Sequence, residues 1–263
     1  MNLNRRSLRP AAVRMLAVGA LAVGLAAPAT ASAGVLDSVS GWWPMYEGSG
    51  QTIHDLSGKG NNGTLGSTPT ADDNDPTWIK GFLFGSALRF DGNDFVRIPD
   101  SPALETQNLT VSAWIRASGS PGTNRYIVSK GASTCDHASY GLYSTYSGGL
   151  QFYMHDTTGH ERYSGIANQD NVYNGKWHHV AGTWDGTTAK LFVDGKLIPG
   201  STDTGGVIDY NPATTGAAGL GGYLGTCDLF YTGDIDDVAI FSQALPIDKY
   251  WSALSLLFPK PLR

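Results

Sequence analysis

The chain has 263 residues, 41% of them hydrophobic, 16% charged and 11% aromatic. That is enough apolar side chain for a packed core and too little charge for a coiled coil or helical bundle. Two cysteines exclude a disulfide-rich miniprotein and a four-cysteine zinc site, and a formal net charge of −5 argues against nucleic acid as a partner.

Residues 1–33 read as a secretory signal. Arg5, Arg6, Arg9 and Arg14 form a positive start without an acidic residue, and Met15–Ala27 is an apolar run too short to span a bilayer comfortably. Pro28 ends that run, and Ala31-Ser32-Ala33 offers the small residues a signal peptidase requires. Asn4-Arg5-Arg6-Ser7-Leu8 partly resembles a twin-arginine signal, but Arg9 stands where that signal prefers an apolar residue, so the general secretory route is favoured. Cleavage after Ala33 removes four arginines and leaves 14 basic against 23 acidic residues, a net charge of −9. The expectation is a secreted protein with no membrane span after signal removal, better suited to divalent cations and neutral or cationic partners than to nucleic acid or anionic lipid.

From about Trp42 the sequence consists of short β-type runs separated by Gly, Asn and Asp. They are Ala87–Ile98, Thr110–Arg116, Tyr126–Lys130, Gly149–His155, His178–Trp184, Ala189–Asp194 and Asp234–Phe241. Alternation predicts Val111, Ala113 and Ile115 on one face of a strand and Ser112, Trp114 and Arg116 on the other. Asp185-Gly186 and Asp194-Gly195 predict hairpin turns, since both residue types accept positive φ. A helix is predicted only near the C-terminus, about Ile247–Leu257 between Pro246 and Pro259. No Pro- or Ser-rich linker divides residues 34–263, which predicts one all-β domain built as a sandwich or jelly roll.

Six phrases occur in order: Trp42–Leu65, Ala87–Leu104, Thr110–Ile115 (TVSAWI), Trp177–Trp184 (WHHVAGTW), Leu191–Gly195 (LFVDG) and Gly233–Phe241 (GDIDDVAIF). Together they resemble the laminin-G-like jelly-roll family within the concanavalin A-like lectin and glucanase superfamily. The resemblance covers nearly all of residues 34–263. It implies two antiparallel sheets, a structural cation, and carbohydrate or protein binding. It leaves the ligand open, because one such sandwich hosts many functions.

Glycoside hydrolysis is tested by looking for paired carboxylates, which a retaining enzyme holds about 5 Å apart. The three glutamates, Glu47, Glu105 and Glu161, lie in turn-like sequence, and none has a second carboxylate two residues away. Asp234 and Asp236 share a strand face, but the phrase that contains them is a closing strand of the family. No catalytic residues are assigned. His178 and His179 are expected on opposite faces of their strand, unable to chelate one ion as a local pair.

A structural calcium is better supported. Calcium takes six to eight oxygens held by turns. Glu47 and Asp55 lie on Gly-rich turns, and in the closing strand Asp236 is the favoured ligand, since an aspartate there needs a cation to offset burial. The plainer alternative makes these residues turn caps in water.

In an exported chain, Cys135 and Cys227 are expected to form one disulfide. It would pin the segment around Cys135 beside the one around Cys227 and gather Asp136, His137 and Asp228 near Tyr140, Tyr143 and Tyr223, with Arg125 and Lys130 at the rim. Carboxylates for hydroxyls and aromatic faces for sugar rings make this a candidate glycan- or cation-binding pair of loops. A loop stapled purely for stability is the alternative. The expected function is a secreted non-catalytic binding module for a glycan or polysaccharide. A superfamily hydrolase or lyase, and a protein-adhesion or cell-surface interaction domain, are the other readings.

Overall fold

The computed structural model describes residues 34–82, 85–132, 135, 137–201, 205–211 and 215–249. Residues 1–33, expected to be a secretory signal, Asp136 and most of the predicted C-terminal helix lie outside these; residues 247–249 begin a helical turn.

Two antiparallel sheets face one another, as expected. The first has the order β14 (Lys196–Ile198), β13 (Ala189–Val193), β12 (His178–Trp184), β7 (Leu109–Arg116), β16 (Thr232–Phe241), β5 (Ser86–Asp91), β4 (Thr77–Lys80), with β1 (Val39–Trp43) also paired to β16. The second runs β11 (Glu161–Tyr163), β10 (Leu150–His155), β9 (Tyr140–Ser144), β8 (Tyr126–Ala132), β15 (Thr215–Leu220), β6 (Val96–Ile98), β3 (Gly63–Leu65), β2 (Thr52–Ile53). Between them lies the main core, which includes Trp43, Val111, Ile115, Leu142, Phe152, Trp184 and Ile240.

The alternation in β7 is realised on both faces. Val111, Ala113 and Ile115 enter the main core, whereas Trp114 joins a second apolar cluster on the outside of the first sheet with Ala181, Phe192 and Phe241. Asp194 and Gly195 both take positive φ, 49° and 75°, and close the β13–β14 hairpin in two residues. In the β12–β13 turn the Asp185 carboxylate accepts from the amides of Thr187 and Thr188.

One predicted run divides. Ala87–Ile98 is a single phrase in the sequence, but β5 belongs to the first sheet and β6 to the second. The chain crosses between sheets at Gly92, φ 112°, where the Asp94 carboxylate accepts from the Asp91 amide at 2.8 Å. A hairpin and a crossing corner use the same turn residues, so local chemistry does not distinguish them.

Candidate functional site

The N-terminal loop and the closing strand meet at one end of the first sheet. Asp55 is buried there, and its carboxylate accepts from the amides of Trp42 (3.0 Å), Ser57 (2.8 Å) and Asn61 (2.9 Å). Those three donors satisfy the charge within the loop. Glu47 turns one oxygen to the His54 amide and ring, while its Oε2 is buried without a hydrogen-bond partner.

Asp236 is 2% exposed and accepts from the Phe82 amide at 3.0 Å. A bulge between Asp236 and Ala239, with Asp237 at φ 45°, breaks the strand's alternation, and Asp237 Oδ1 is left buried and unpartnered. Burial pushes the carboxyl of Asp236 up to about 7, and burial together with Asp236 pushes that of Asp237 up to about 8. The Tyr46 hydroxyl is also raised, by burial and then by these two aspartates. Asp236 therefore sits with Asp237 and Tyr46, while Asp55 is engaged within its own loop. Strand alternation leaves only one of these two aspartates at the core edge, with Asp236 favoured; the bulge re-aims Asp237 so that its carboxylate is buried as well.

Asp234, two residues earlier, turns instead to Arg89 at 2.7 Å and to Arg116 at 2.5 Å. The three residues line a pocket of about 620 Å³ on the first sheet. His179 is buried edge-on to Trp114, and burial pushes its ring down to about 4. His178 points the other way, to Asp194 at 2.9 Å and Asn174 at 3.1 Å.

The second candidate region is the outer face of the second sheet. Cys135 and Cys227 are bonded, with Cα atoms 5.4 Å apart. Beside them Tyr126, Tyr143, Tyr153, Tyr163 and Tyr223 form one cluster with Ala132, Ala138 and Leu229. Tyr143 and Tyr153 ring centroids are 5.1 Å apart, and those of Tyr153 and Tyr163 are 5.9 Å apart. Gly141 opposite Tyr153 is required by this packing, because a Cβ there would lie 2.9 Å from the Tyr126 ring. The Tyr153 hydroxyl ties the layer together, 2.8 Å from that of Tyr126 and accepting from the Ala138 amide at 2.7 Å. Tyr143 and Tyr163 are partly exposed, whereas Tyr126, Tyr153 and Tyr223 are buried beneath the loops.

The sequence-predicted residues separate here. His137, Tyr143 and Tyr223 belong to this face, and the Tyr223 hydroxyl donates to the His137 carbonyl at 2.8 Å. Tyr140 does not: it is fully buried in the main core and donates to the Leu104 carbonyl at 3.0 Å. It lies three residues from Tyr143 on one strand, so the two must point to opposite faces. Asp228 is exposed, and its backbone carbonyl accepts from Arg125. Lys130 is withdrawn from the rim: it is 1% exposed and bonds Asp100 and Glu105, each at 2.9 Å.

Three residues at the end of this face were not assembled from the sequence. His137 stacks on His155, with ring centroids 3.5 Å apart and planes at 8°. Glu161 pairs with His155 across the β10–β11 ladder and places Oε1 3.9 Å from His155 Nδ1. Glu161 is thus in a strand, not in a turn as its sequence suggests. His155 is 6% exposed; burial and then the neighbouring His137 lower its titration, so its ring is neutral at neutral pH. The β10–β11 hairpin is held by buried Asp156, whose carboxylate is raised by burial but lowered more by Thr158, His160 and Arg162.

Comparison with known proteins places this architecture. No curated protein sequence matches the chain. Among solved structures, the binding domain of Paraclostridial Mosquitocidal Protein 1 superposes with a TM-score of 0.61 at 15% identity, over 86% of this chain and 53% of that one. Botulinum neurotoxin type C, whose cell entry is dependent upon interaction with two ganglioside molecules, gives 0.60 at 16% identity over 85% and 53%. The binding domain of botulinum neurotoxin DC in complex with rat synaptotagmin II gives 0.58 at 15% identity over 84% and 52%. The chain spans about half the length of these structures, and the likeness is one of fold. Among the described residues no helix is long and apolar enough to cross a membrane. The sequence profile of the Laminin_G_3 family covers residues 90–248, from the end of β5 to a few residues beyond the closing strand β16, and the chain belongs to that family of the concanavalin A-like lectin/glucanase superfamily.

Proposed function

We propose that the protein is a secreted, non-catalytic binding module, with residues 34–263 as its single domain, and that its ligand is a carbohydrate. The observation that carries this reading is the tyrosine layer on the second sheet. Its partly exposed members, Tyr143 and Tyr163, offer aromatic faces beside a carboxylate, Glu161, under loops held by the disulfide. Aromatic faces take the apolar side of a sugar ring, and a nearby carboxylate accepts from its hydroxyls. Asp228 and Asp136 belong to the same pair of loops in this reading, although Asp136 lies outside the described residues. The ganglioside dependence of one structural relative fits the same ligand class.

We assign the structural calcium to the turn at Asp236, with Asp237 added to the expected set and Glu47 retained. Unpartnered Asp237 Oδ1 and Glu47 Oε2, both buried, fit a cation that takes oxygen ligands. Asp55, with three amide donors of its own, would serve by holding the loop. When bound, the ion would supply positive charge that keeps both aspartates ionised despite burial.

The test is a glycan and polysaccharide array probed with the protein in calcium and in chelator, with released sugars measured in the supernatant. Retention without release, lost in a Tyr143→Ala/Tyr163→Ala variant, is the expected result. Released sugar would make the protein a hydrolase or lyase. Failure to bind any glycan would favour a protein partner, a reading that the synaptotagmin complex of another relative also supports.

A further inference from the structure

The end of the tyrosine layer carries a cluster that a structural calcium does not use and that shares only Glu161 with the glycan reading. His137 Nε2 and His155 Nδ1 are both buried without a hydrogen-bond partner. One ring nitrogen of each histidine and a Glu161 carboxylate oxygen lie within 4.8 Å of one another, and His155 Nδ1 itself is 3.9 Å from Glu161 Oε1. Buried polar atoms are almost always satisfied, and two orphaned imidazole nitrogens beside one carboxylate need a common explanation. Stacking accounts for the parallel rings but gives neither nitrogen a partner.

We infer that His137, His155 and Glu161 form a binding site for a divalent transition-metal ion, zinc in the first instance. Two imidazole nitrogens and one carboxylate oxygen are a ligand set that suits zinc, whereas calcium requires six to eight oxygens. In a tetrahedral site with Zn–N of about 2.0–2.1 Å, neighbouring ligand atoms are roughly 3.3 Å apart. The three atoms therefore have to close by at most about 1.5 Å from their limit of 4.8 Å. The elements permit this. His155 is fixed at the end of a central hairpin strand, its amide donating to the Ser139 carbonyl at 2.9 Å. Glu161 is the first residue of the edge strand β11, and His137 lies in the loop two residues after Cys135. Both can move toward His155 by small side-chain rotations and a splaying of the stacked rings.

Three protein ligands leave one tetrahedral position for water or for an oxygen of a bound molecule. The inference does not depend on the glycan reading, since the metal alone is the probe. It does place the disulfide in a new role, because the Cys135–Cys227 bond anchors the loop that supplies His137.

The experiment is titration of the purified, untagged protein with zinc chloride by calorimetry, with calcium in excess, and with cobalt(II) for its visible absorption. One zinc per chain and a tetrahedral cobalt spectrum are expected. His137→Ala and Glu161→Gln, on the loop and the edge strand, should each weaken zinc at least about 100-fold, beyond the cost typical of outer residues at metal sites. Circular dichroism and thermal melts of the metal-free variants check that they fold. His160→Gln removes an exposed histidine of the same hairpin and should leave affinity unchanged. Absence of saturable zinc binding would overturn the assignment. So would affinity that survives both ligand variants or is lost with His160→Gln.

Discussion

Gly182 stands in the middle of β12 with no positive φ, so nothing in its backbone demands glycine. An alanine in a strand at such a position ordinarily stabilises by about 0.4–1 kcal/mol, because it restricts the unfolded chain. Here the sign should reverse. A Cβ at residue 182 would lie 2.2 Å from Phe152 Cγ, 2.3 Å from Cδ2 and 2.6 Å from Cβ. Since the Phe152 Cβ is itself too close, no χ1 rotation relieves the contact, and the two sheets must separate locally by about an ångström. Overpacking of this kind costs about 1–3 kcal/mol, and the upper end applies where backbone must move. At about 2–4 °C per kcal/mol for a chain this long, Gly182→Ala should lower the melting temperature by roughly 6–12 °C. Urea unfolding of Gly182→Ala, Phe152→Ala and the double variant gives the coupling. Phe152→Ala alone should cost about 3–5 kcal/mol, and adding Gly182→Ala should then cost at least about 1 kcal/mol less than it does in the wild type. A neutral or stabilising Gly182→Ala, or additive costs, would refute this account of how the sheets meet.

Three further outcomes are expected. Replacing Cys135 and Cys227 by serine opens a loop with a sequence separation of 92, and the chain-entropy account expects a loss of roughly 4–5 kcal/mol in guanidinium unfolding; an unchanged midpoint would contradict it. His179 titrates at about 4 when folded and near 6.5 when unfolded, so its stabilising effect is complete above the unfolded value and declines as pH falls through this window. The loss approaches roughly 3 kcal/mol, and His179→Gln should flatten that part of the pH–stability curve, measured as wild type minus variant. Asp94 has the opposite sign: burial raises its carboxyl to about 6, with Asp91 and Asp75 adding to the rise, so stability falls as pH climbs from about 4 through 6. Asp94→Asn keeps an oxygen for the Asp91 amide, and should raise the melting temperature at pH ~7 while leaving it unchanged near pH ~3.5.

Much of the architecture is legible locally. Strand alternation in TVSAWIR separates core from outer-face residues, and Asp194-Gly195 specifies its hairpin through two positive φ values. Parity also separates Tyr140 from Tyr143, which argues against placing both in one site. His155 and Glu161 flank Thr157-Thr158-Gly159, so a hairpin reading would have paired them.

By itself, then, the sequence determined the β class, the turn positions, the pairing of its two cysteines and the family phrases, since all of these depend on neighbouring residues or on composition. Tertiary structure decided the rest. It sent Ala87–Ile98 into two sheets, turned Asp237 toward Asp236 through a bulge, buried Lys130 between Asp100 and Glu105, and set His137 on the ring of His155. Each of these depends on which distant strand lies alongside. That choice follows from burying two whole sheet faces together, a property no short stretch of chain encodes.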